Sequence, residues 1–523
     1  MIEKRIYGPP GTGKTTRLKR LVAELIESGV DPHDIYATSF SRAGAAELVE
    51  RLGLPQKNVG TVHSFAYKGL GLQNGGLADD HLEEFSKQHP FYRMGAQYNA
   101  DPLDFNGSDF AFDDKAPGAR LLNKLNIYRN LLTDFSAMSS DVQAFAKAWT
   151  AWKKSEGLYD FVDLIESVST AQLPEGEVLI CDEAQDLSPL ELNKLRRWGN
   201  SFEQLVLAGD PNQAIYSFKG VEPEAFMLPE LPRGQIEVLG QSYRVPVAVH
   251  DLARGWQQFD FRYRPRPVPG KLVKAAAVAH SPEFFIKRLM EGEGSRMILA
   301  SCSYMLDDIR QYALREGVPF HNPYQPDKNK WNPLDQYLGG KIANFGPGTT
   351  NAELWSLVKD LPAKLFAERG AKGLLKALAR TEANNPADAR RWLSAYLFNA
   401  LSTRDPGRLV SLYQTQLPDR TSKHLKYTLQ ALARYGSSAV EKPRLILGTV
   451  HSVKGGEADR VLLFPSQSKA AWQDYHWRPW STRRVIYTGI TRAKSELWLG
   501  VPVLPAVDFF LSAPNGYEET QWA

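Results

Sequence analysis

Short apolar-rich runs that stop at turn residues recur along the chain: 35–40 (IYATSF), 178–181 (VLIC), 205–208 (LVLA), 236–239 (IEVL), 297–302 (MILASC), 445–450 (LILGTV) and 461–464 (VLLF). Runs of this length read as parallel strands covered on both faces. Residues 484–486 (RVI) read as one more short strand. Between several runs lie helical patterns, such as Leu18, Leu21, Val22, Leu25 and Ile26, with Gly29 placed to close the helix. Strands alternating with helices predict an α/β fold built on parallel sheets. Two stretches break the alternation and carry helical spacing instead. In residues 66–165 it is set by Leu121, Leu122, Leu125, Tyr128 and Leu132, then Val142, Phe145, Ala146 and Trp149. In 326–439 it is set by Leu374, Leu375 and Leu378, then Ala389, Trp392, Leu393, Tyr396 and Leu397. The expected partition is therefore a first α/β domain from 1–65 and 166–232 with a helical insertion at 66–165. A second domain, from 233–325 and 440–523, carries a helical insertion at 326–439. Tryptophans in these stripes belong to a core first and to stacking surfaces only second. Residues 321–350, rich in Pro, Asn and Gly, read as a loop or hinge.

The chain has 523 residues, which at roughly 100 to 200 residues per domain predicts about three or four units. With 43% hydrophobic and 23% charged residues it has the composition of a folded globular protein, not of a disordered or collagen-like one. No run approaches the roughly 18 apolar residues of a membrane span, and the opening MIEKRIYGPPG lacks the apolar run of a signal peptide. These features place it in the cytoplasm with no membrane partner. Cys181 and Cys302 have no C-x-x-C partner, which argues against zinc, iron–sulfur and disulfide frameworks. A net charge of +4 permits a polyanionic partner without requiring one.

Three segments carry chemistry. Residues 8–15, GPPGTGKT, fit the G-x-x-x-x-G-K-[ST] pattern between a short strand and the helix of Leu18. Glycines there let backbone N–H groups converge on phosphate oxygens at a helix N-terminus; Lys14 supplies a cation and Thr15 a hydroxyl for Mg²⁺. Asp182 and Glu183 follow the run 178–181, at the strand end where α/β proteins bind ligands; one suits Mg²⁺ and the other an attacking water, or both simply cap a helix. Residues 207–220 place Gln213 and Phe218 after a third strand, suited to sensing a γ phosphate and stacking on a base. Arg244 and Arg492 are either surface ion-pair residues or charge stabilisers across a cleft. The sequence GTVHS occurs at 60–64 and again at 448–452, by chance or because two similar domains present the same strand-end loop.

Taken in order, GPPGTGKT, FSRAGAAEL, GTVHSFA, DFVDL, DEAQD, GDPNQAIYSFKG, QSYR, GTVHSVKGGEAD and VIYTGITRAKSEL, from residue 8 to residue 497, resemble superfamily 1 DNA helicases of the UvrD/Rep/PcrA type. The resemblance implies two RecA-like P-loop domains with ATP between them and single-stranded DNA across their top. It makes Gly8, Pro9, Pro10, Gly11, Thr12, Gly13, Lys14, Thr15 and Thr16 the phosphate loop, and Thr15 and Asp182 the Mg²⁺ ligands. Glu183 becomes the general base, Gln213 the γ-phosphate sensor, and Arg244 and Arg492 the arginine fingers. Tyr243 is expected to stack on adenine and Glu457 to contact the nucleotide. DNA contacts are expected from Phe40, Ser41, Arg42, His63, Phe65, Phe218, Thr449 and His451; with no other ligands near them, the two histidines are not a metal site.

The run Ala214 to Gly220, AIYSFKG, resembles that of the 3′-to-5′ members, so 3′-to-5′ movement on single-stranded DNA with duplex unwinding is implied. The alternative is a DNA-stimulated translocase that remodels nucleoprotein and needs a partner to unwind. Expected partners are single-stranded DNA, single/double-strand junctions and a replication or repair protein. Three positions depart from the family pattern. The adenine-reading glutamine usual about two dozen residues before the lysine is not among the thirteen residues preceding Lys14, leaving more of adenine recognition to Tyr243. Ala43 stands where a lysine is common, and the second insertion is shorter than the large subdomain of cellular members, as in a compact, phage-like enzyme.

Overall fold

The structure is a computed structural model that describes residues 1–72, 76–94, 116–274, 281–326, 328–334, 371–378, 423–467 and 479–500, with isolated positions between 352 and 370. Its strands, in chain order, are β1 (Ile2–Tyr7), β2 (Ile35–Ser39), β3 (Val59–Gly60), β4 (Val178–Asp182), β5 (Gln204–Gly209), β6 (Ile236–Val238), β7 (Gln241–Pro246), β8 (Arg264–Arg266), β9 (Lys271–Lys274), β10 (Arg296–Ala300), β11 (Phe320–His321), β12 (Leu445–Thr449), β13 (Ala458–Phe464) and β14 (Ala493–Leu499). Two six-stranded sheets result, in the orders β3-β2-β4-β5-β1-β6 and β11-β12-β10-β13-β14-β9, and β7 pairs separately with β8. All the pairings in both large sheets are parallel. The α/β class is as expected: two parallel-sheet domains with helical additions.

Side chains alternate across each sheet, and both faces are covered, which is why the strands read as unbroken apolar runs. In the first sheet Ile180, Val206 and Ala208 pack with Leu18 and Val22 on one face. Leu179, Cys181, Leu205 and Leu207 pack with Phe65 and Trp198 on the other. In the second sheet Met297, Leu299, Val461 and Leu463 face one core while Ile298, Ala300, Leu462 and Phe464 face the opposite one. Both cysteines are buried in these cores, and neither is in a disulfide.

Two expectations are corrected. The run 236–239 does not open the second domain: β6 pairs with β1, so the first sheet extends past residue 232. Residues 484–486 are not a strand but lie inside the helix Pro479–Ile490, because Val485, Ile486 and Ile490 recur at helical spacing and pack into the second-domain core. Arg492 therefore follows a helix.

The first insertion has its own core, in which Phe85, Phe145, Trp149 and Trp152 are buried together. Its ends are narrower than 66–165, since Ala66, Val162, Leu164 and Ile165 pack into the first-domain core. At the seam Asp160 N-caps the helix Phe161–Ser167 and also accepts bonds from Trp149 Nε1 at 2.8 Å and Lys153 Nζ at 2.5 Å, with Arg129 at 2.9 Å. Of the second insertion the described residues include the helices Ala371–Leu378 and Lys423–Tyr435. Leu375 is buried, and Tyr427 donates its hydroxyl to the Val318 carbonyl at 2.6 Å. The stripe from Ala389 to Leu397 and most of 321–350 lie outside the described residues.

Candidate active site

Between β1 and the helix Lys14–Glu27 the chain turns through Gly11 and Gly13, whose φ angles of 70° and 83° strain any residue with a Cβ. A Cβ on Gly8 would lie 1.9 Å from the Lys14 side chain, and one on Gly11 would lie 2.3 Å from Arg244 Cβ. The loop is thus wrapped closely around its own lysine and beneath β7. It is pinned there by the Ser242 hydroxyl donating to the Pro10 carbonyl at 2.7 Å and the Tyr243 N–H donating to the Gly11 carbonyl at 2.8 Å. Tyr243 itself points outward and is 72% exposed, an aromatic face beside the loop.

Lys14 Nζ lies 3.3 Å from Glu183 Oε1. Burial works against its charge, but Glu183, Asp182 and Asp210 outweigh that and hold its pKa above the ordinary value. Glu183 follows β4 in a left-handed conformation, φ 54°, which costs a side-chain-bearing residue roughly 1–2 kcal/mol. Its N–H donates to Asp182 Oδ1 at 2.9 Å, and Gln185 Nε2 donates to its Oε2 at 2.5 Å. Burial, then the Glu183 charge, pushes the Asp182 pKa up, whereas Glu183 is held below the ordinary range because burial is outweighed by Lys14 and Lys454. A carboxyl pair thus faces the glycine loop, with Glu183 kept ionised.

The second domain completes the site. Arg492, 1% exposed, donates from Nε to the Thr488 carbonyl at 3.0 Å and from Nη1 to the Gly456 carbonyl at 3.1 Å. Its Nη2 reaches across to Gln213 Oε1, and Gln213 Nε2 donates to Asp210 Oδ2 at 2.7 Å. Arg244 is paired with Glu457 at 2.6 Å. The predicted Lys14, Asp182, Glu183, Gln213, Arg244, Glu457 and Arg492 are thereby brought into one cleft.

The arrangement fits a Mg²⁺–nucleotide: a glycine cradle at a helix N-terminus, a lysine, and a buried aspartate near enough to act on that lysine's charge. Among the described residues no group of three or more His, Cys, Asp or Glu could hold a metal by itself, and Mg²⁺ typically takes one or two carboxylates plus phosphate oxygens.

Sequence reasoning missed three residues that tie the site together. Gln185 Oε1 accepts the Asp210 N–H at 2.9 Å, joining the ends of β4 and β5. Lys454 of the second domain pairs with buried Asp186 and donates to the Gln213 carbonyl at 2.8 Å. Tyr216 is the hub of an aromatic group: Phe40 stacks on it at 4.9 Å, Phe218 and His451 lie 6.1 and 6.0 Å away, and Lys219 and Lys454 lie over its ring. All three lay inside motifs already singled out, but their partners come from other strand ends of the first domain for Gln185 and from across the two domains for Lys454 and Tyr216.

The expected nucleic-acid residues divide. Phe40, Phe218 and His451 gather around Tyr216, and Arg42 is exposed. Ser41 caps the helix Arg42–Leu52 through the Gly44 N–H at 2.9 Å. His63 is turned toward Glu191 at 3.4 Å. Phe65 and Thr449 are buried, at 3% and 0% exposure. Phe65 packs on Trp198, and Thr449 serves the repeated GTVHS loop. In each copy the Thr hydroxyl accepts the N–H of the Ser three residues on, at 3.1 Å for Thr61 and 3.2 Å for Thr449. A Cβ at Gly60 or Gly448 would collide with that serine's hydroxyl, at 2.4 and 2.5 Å. The repeat encodes one capping turn used twice, at the edge of the first sheet and one strand inside the edge of the second.

No helix among the described residues is long and apolar enough to cross a membrane. Residues 3–230 match the family model of the UvrD/REP helicase N-terminal domain, and residues 445–499 that of the UvrD-like helicase C-terminal domain. Among curated relatives, the "Probable DNA helicase II homolog" of Mycoplasma pneumoniae is 26% identical over 94% of this chain and 81% of its own length. The "Probable DNA helicase" of the same organism is 26% identical over 43% of this chain and 46% of its own. The ATP-dependent DNA helicase UvrD2 of Mycobacterium tuberculosis is 25% identical over 46% of this chain and 39% of its own. The chain thus spans less than half the length of the latter two. With Lys14, Asp182, Glu183 and Gln213 inside the first matched segment and Glu457 and Arg492 inside the second, the chain belongs to the UvrD/Rep helicase family.

Proposed function

We propose that the protein is an ATP-driven DNA helicase that moves 3′ to 5′ on single-stranded DNA and separates duplex at a single/double-strand junction. The observation that carries this reading is the contact of Arg492, from the second domain, with Gln213 of the first, beside the Lys14–Glu183 pair. Such a site is completed only when the domains meet, as a motor that couples phosphate chemistry to domain movement requires.

When bound, Mg²⁺–ATP supplies the phosphoanhydride and a cation for its developing charge. Lys14 and the loop N–H groups would hold its phosphates, Thr15 and Asp182 the metal, and Tyr243 the base. Glu183, kept ionised by Lys14 and Lys454, is suited to take a proton from the attacking water. Arg492, fixed by two carbonyls of its own domain, presents a preorganised charge. Phe40, Phe218 and His451 offer base-stacking faces that tolerate any sequence.

The test compares two otherwise identical duplexes, one with a 3′ tail and one with a 5′ tail, alongside Lys14→Ala. Opening of the 3′-tailed duplex alone, lost in the variant, is expected. Opening of the 5′-tailed duplex would overturn the direction. If neither opened while single-stranded DNA still stimulated hydrolysis, the protein would be a translocase that needs a partner, such as a replication or repair protein, to unwind.

A further inference from the structure

The segment that follows Gln213 is anchored to two bodies. Its start belongs to the first domain, through Gln185 to the Asp210 N–H at 2.9 Å and Gln213 to Asp210 at 2.7 Å. From Ala214 onward it packs inside the second-domain core, where Ala214, Ile215, Tyr216 and Val221 are buried with Val450, Val485 and Ile486. Three consecutive carbonyls are held by second-domain side chains: Gln213 by Lys454 at 2.8 Å, Ala214 by Arg484 Nε at 2.7 Å, and Ile215 by His451 Nε2 at 3.1 Å.

Arg484 does more than close one rung. Its guanidinium, buried in a residue only 5% exposed, also donates from Nη2 to Ser217 Oγ at 3.1 Å and from Nη1 to Gln258 Oε1. Three hydrogen bonds in a rigid planar fork define an orientation that a single ammonium does not. Ser217, which also meets Ser481 Oγ at 3.0 Å, is the residue immediately before Phe218.

We propose that Arg484 is a positioning residue of the motor: its guanidinium locks residues 214–217 to the second domain, so that movement of that domain about the nucleotide is delivered to the base-stacking ring of Phe218. Arg484 touches neither nucleotide nor DNA in this scheme; it acts through the loop. The inference rests on the helicase reading above.

The test uses the full chain with Arg484→Met, which keeps an unbranched side chain but removes all three donors, and Arg484→Lys, which keeps one donor head. Hydrolysis without DNA is expected to stay within about twofold of the unmodified protein, with unchanged nucleotide affinity. The single-stranded DNA concentration for half-maximal stimulation is expected to rise about tenfold in Arg484→Met, the loss of one base-stacking contact, and the lysine variant to fall between. A parallel fall in DNA-free rate and melting temperature with unaltered half-saturation would overturn the proposal, since that is the signature of a merely structural arginine. If Arg484→Met does not fold, Ser217→Ala, which leaves the guanidinium two of its acceptors, carries the test: half-saturation must rise, and an unchanged value overturns the tether. If DNA fails to stimulate the unmodified protein, the helicase reading itself falls and takes this proposal with it.

Discussion

Replacing Arg492 by alanine tests the site at its most connected point. The guanidinium makes three hydrogen bonds, two to carbonyls of its own domain and one to Gln213 across the cleft. The first two aim it without any help from a ligand. Burial and the neighbouring Arg244 charge push its pKa down to about 10, so it is fully protonated at neutral pH. A preorganised arginine of this kind is worth about 10³ to 10⁵ in phosphoryl-transfer rate, or roughly 4–7 kcal/mol. Arg492→Ala should therefore lower single-turnover ATP hydrolysis at saturating single-stranded DNA by at least about a thousandfold. Arg492→Lys should recover only part of this, because one ammonium cannot satisfy three acceptors that diverge around a planar fork. Binding of a fluorescent ATP analogue, titrated in parallel, should weaken far less than the rate falls, since the charge it stabilises develops in the transition state. A rate loss under tenfold, or a loss matched by an equal loss of nucleotide affinity, would refute the assignment.

Three further outcomes follow from the geometry. Tyr243, outward-facing beside the phosphate loop, should act on binding alone: Tyr243→Ala raises the KM for ATP about tenfold with kcat nearly unchanged, and Tyr243→Phe restores it. Asp160→Asn removes the anion facing Arg129 and Lys153 and should cost about 3–5 kcal/mol in denaturant unfolding of the first insertion. Those cations outweigh burial and hold the Asp160 pKa below its ordinary value of 3.8, so its contribution is present above that value and is lost as pH falls further. His451 has its pKa lowered from 6.5 to about 4, by burial first. Its neutral ring stabilises the fold above pH 6.5, and that stability drains away as pH falls through about 4. His451→Gln, which keeps a donor for the Ile215 carbonyl, should flatten thermal stability across that window.

Much of this protein is written locally. The apolar runs that become β4, β5, β10, β12 and β13 are legible because strands covered on both faces carry no polar alternation. The loop 8–15 is legible because its φ angles and its closeness to Lys14 and Arg244 favour glycine. Asp182, Glu183 and Gln213 stand out because strand ends are where α/β proteins bind ligands. The repeated GTVHS predicts the same loop twice for a reason that is equally local, a threonine capping a serine three residues on.

What the sequence could not decide were relations between segments far apart in the chain. A run of three or four residues does not say which sheet it joins, so only pairing with β1 assigns β6 to the first domain. Nor does it separate strand from helix, so 484–486 needed the core beneath it to become part of the helix Pro479–Ile490. Burial of Phe65 and Thr449 is likewise a property of packing, not of residue type. The partners that Lys454, Arg484 and Arg492 find across the cleft, Asp186, Ala214 and Gln213, lie more than two hundred residues away in the chain. A motif records which groups one strand end can offer; which groups meet across the cleft is set by how two separately folded sheets face each other, and that exists only in three dimensions.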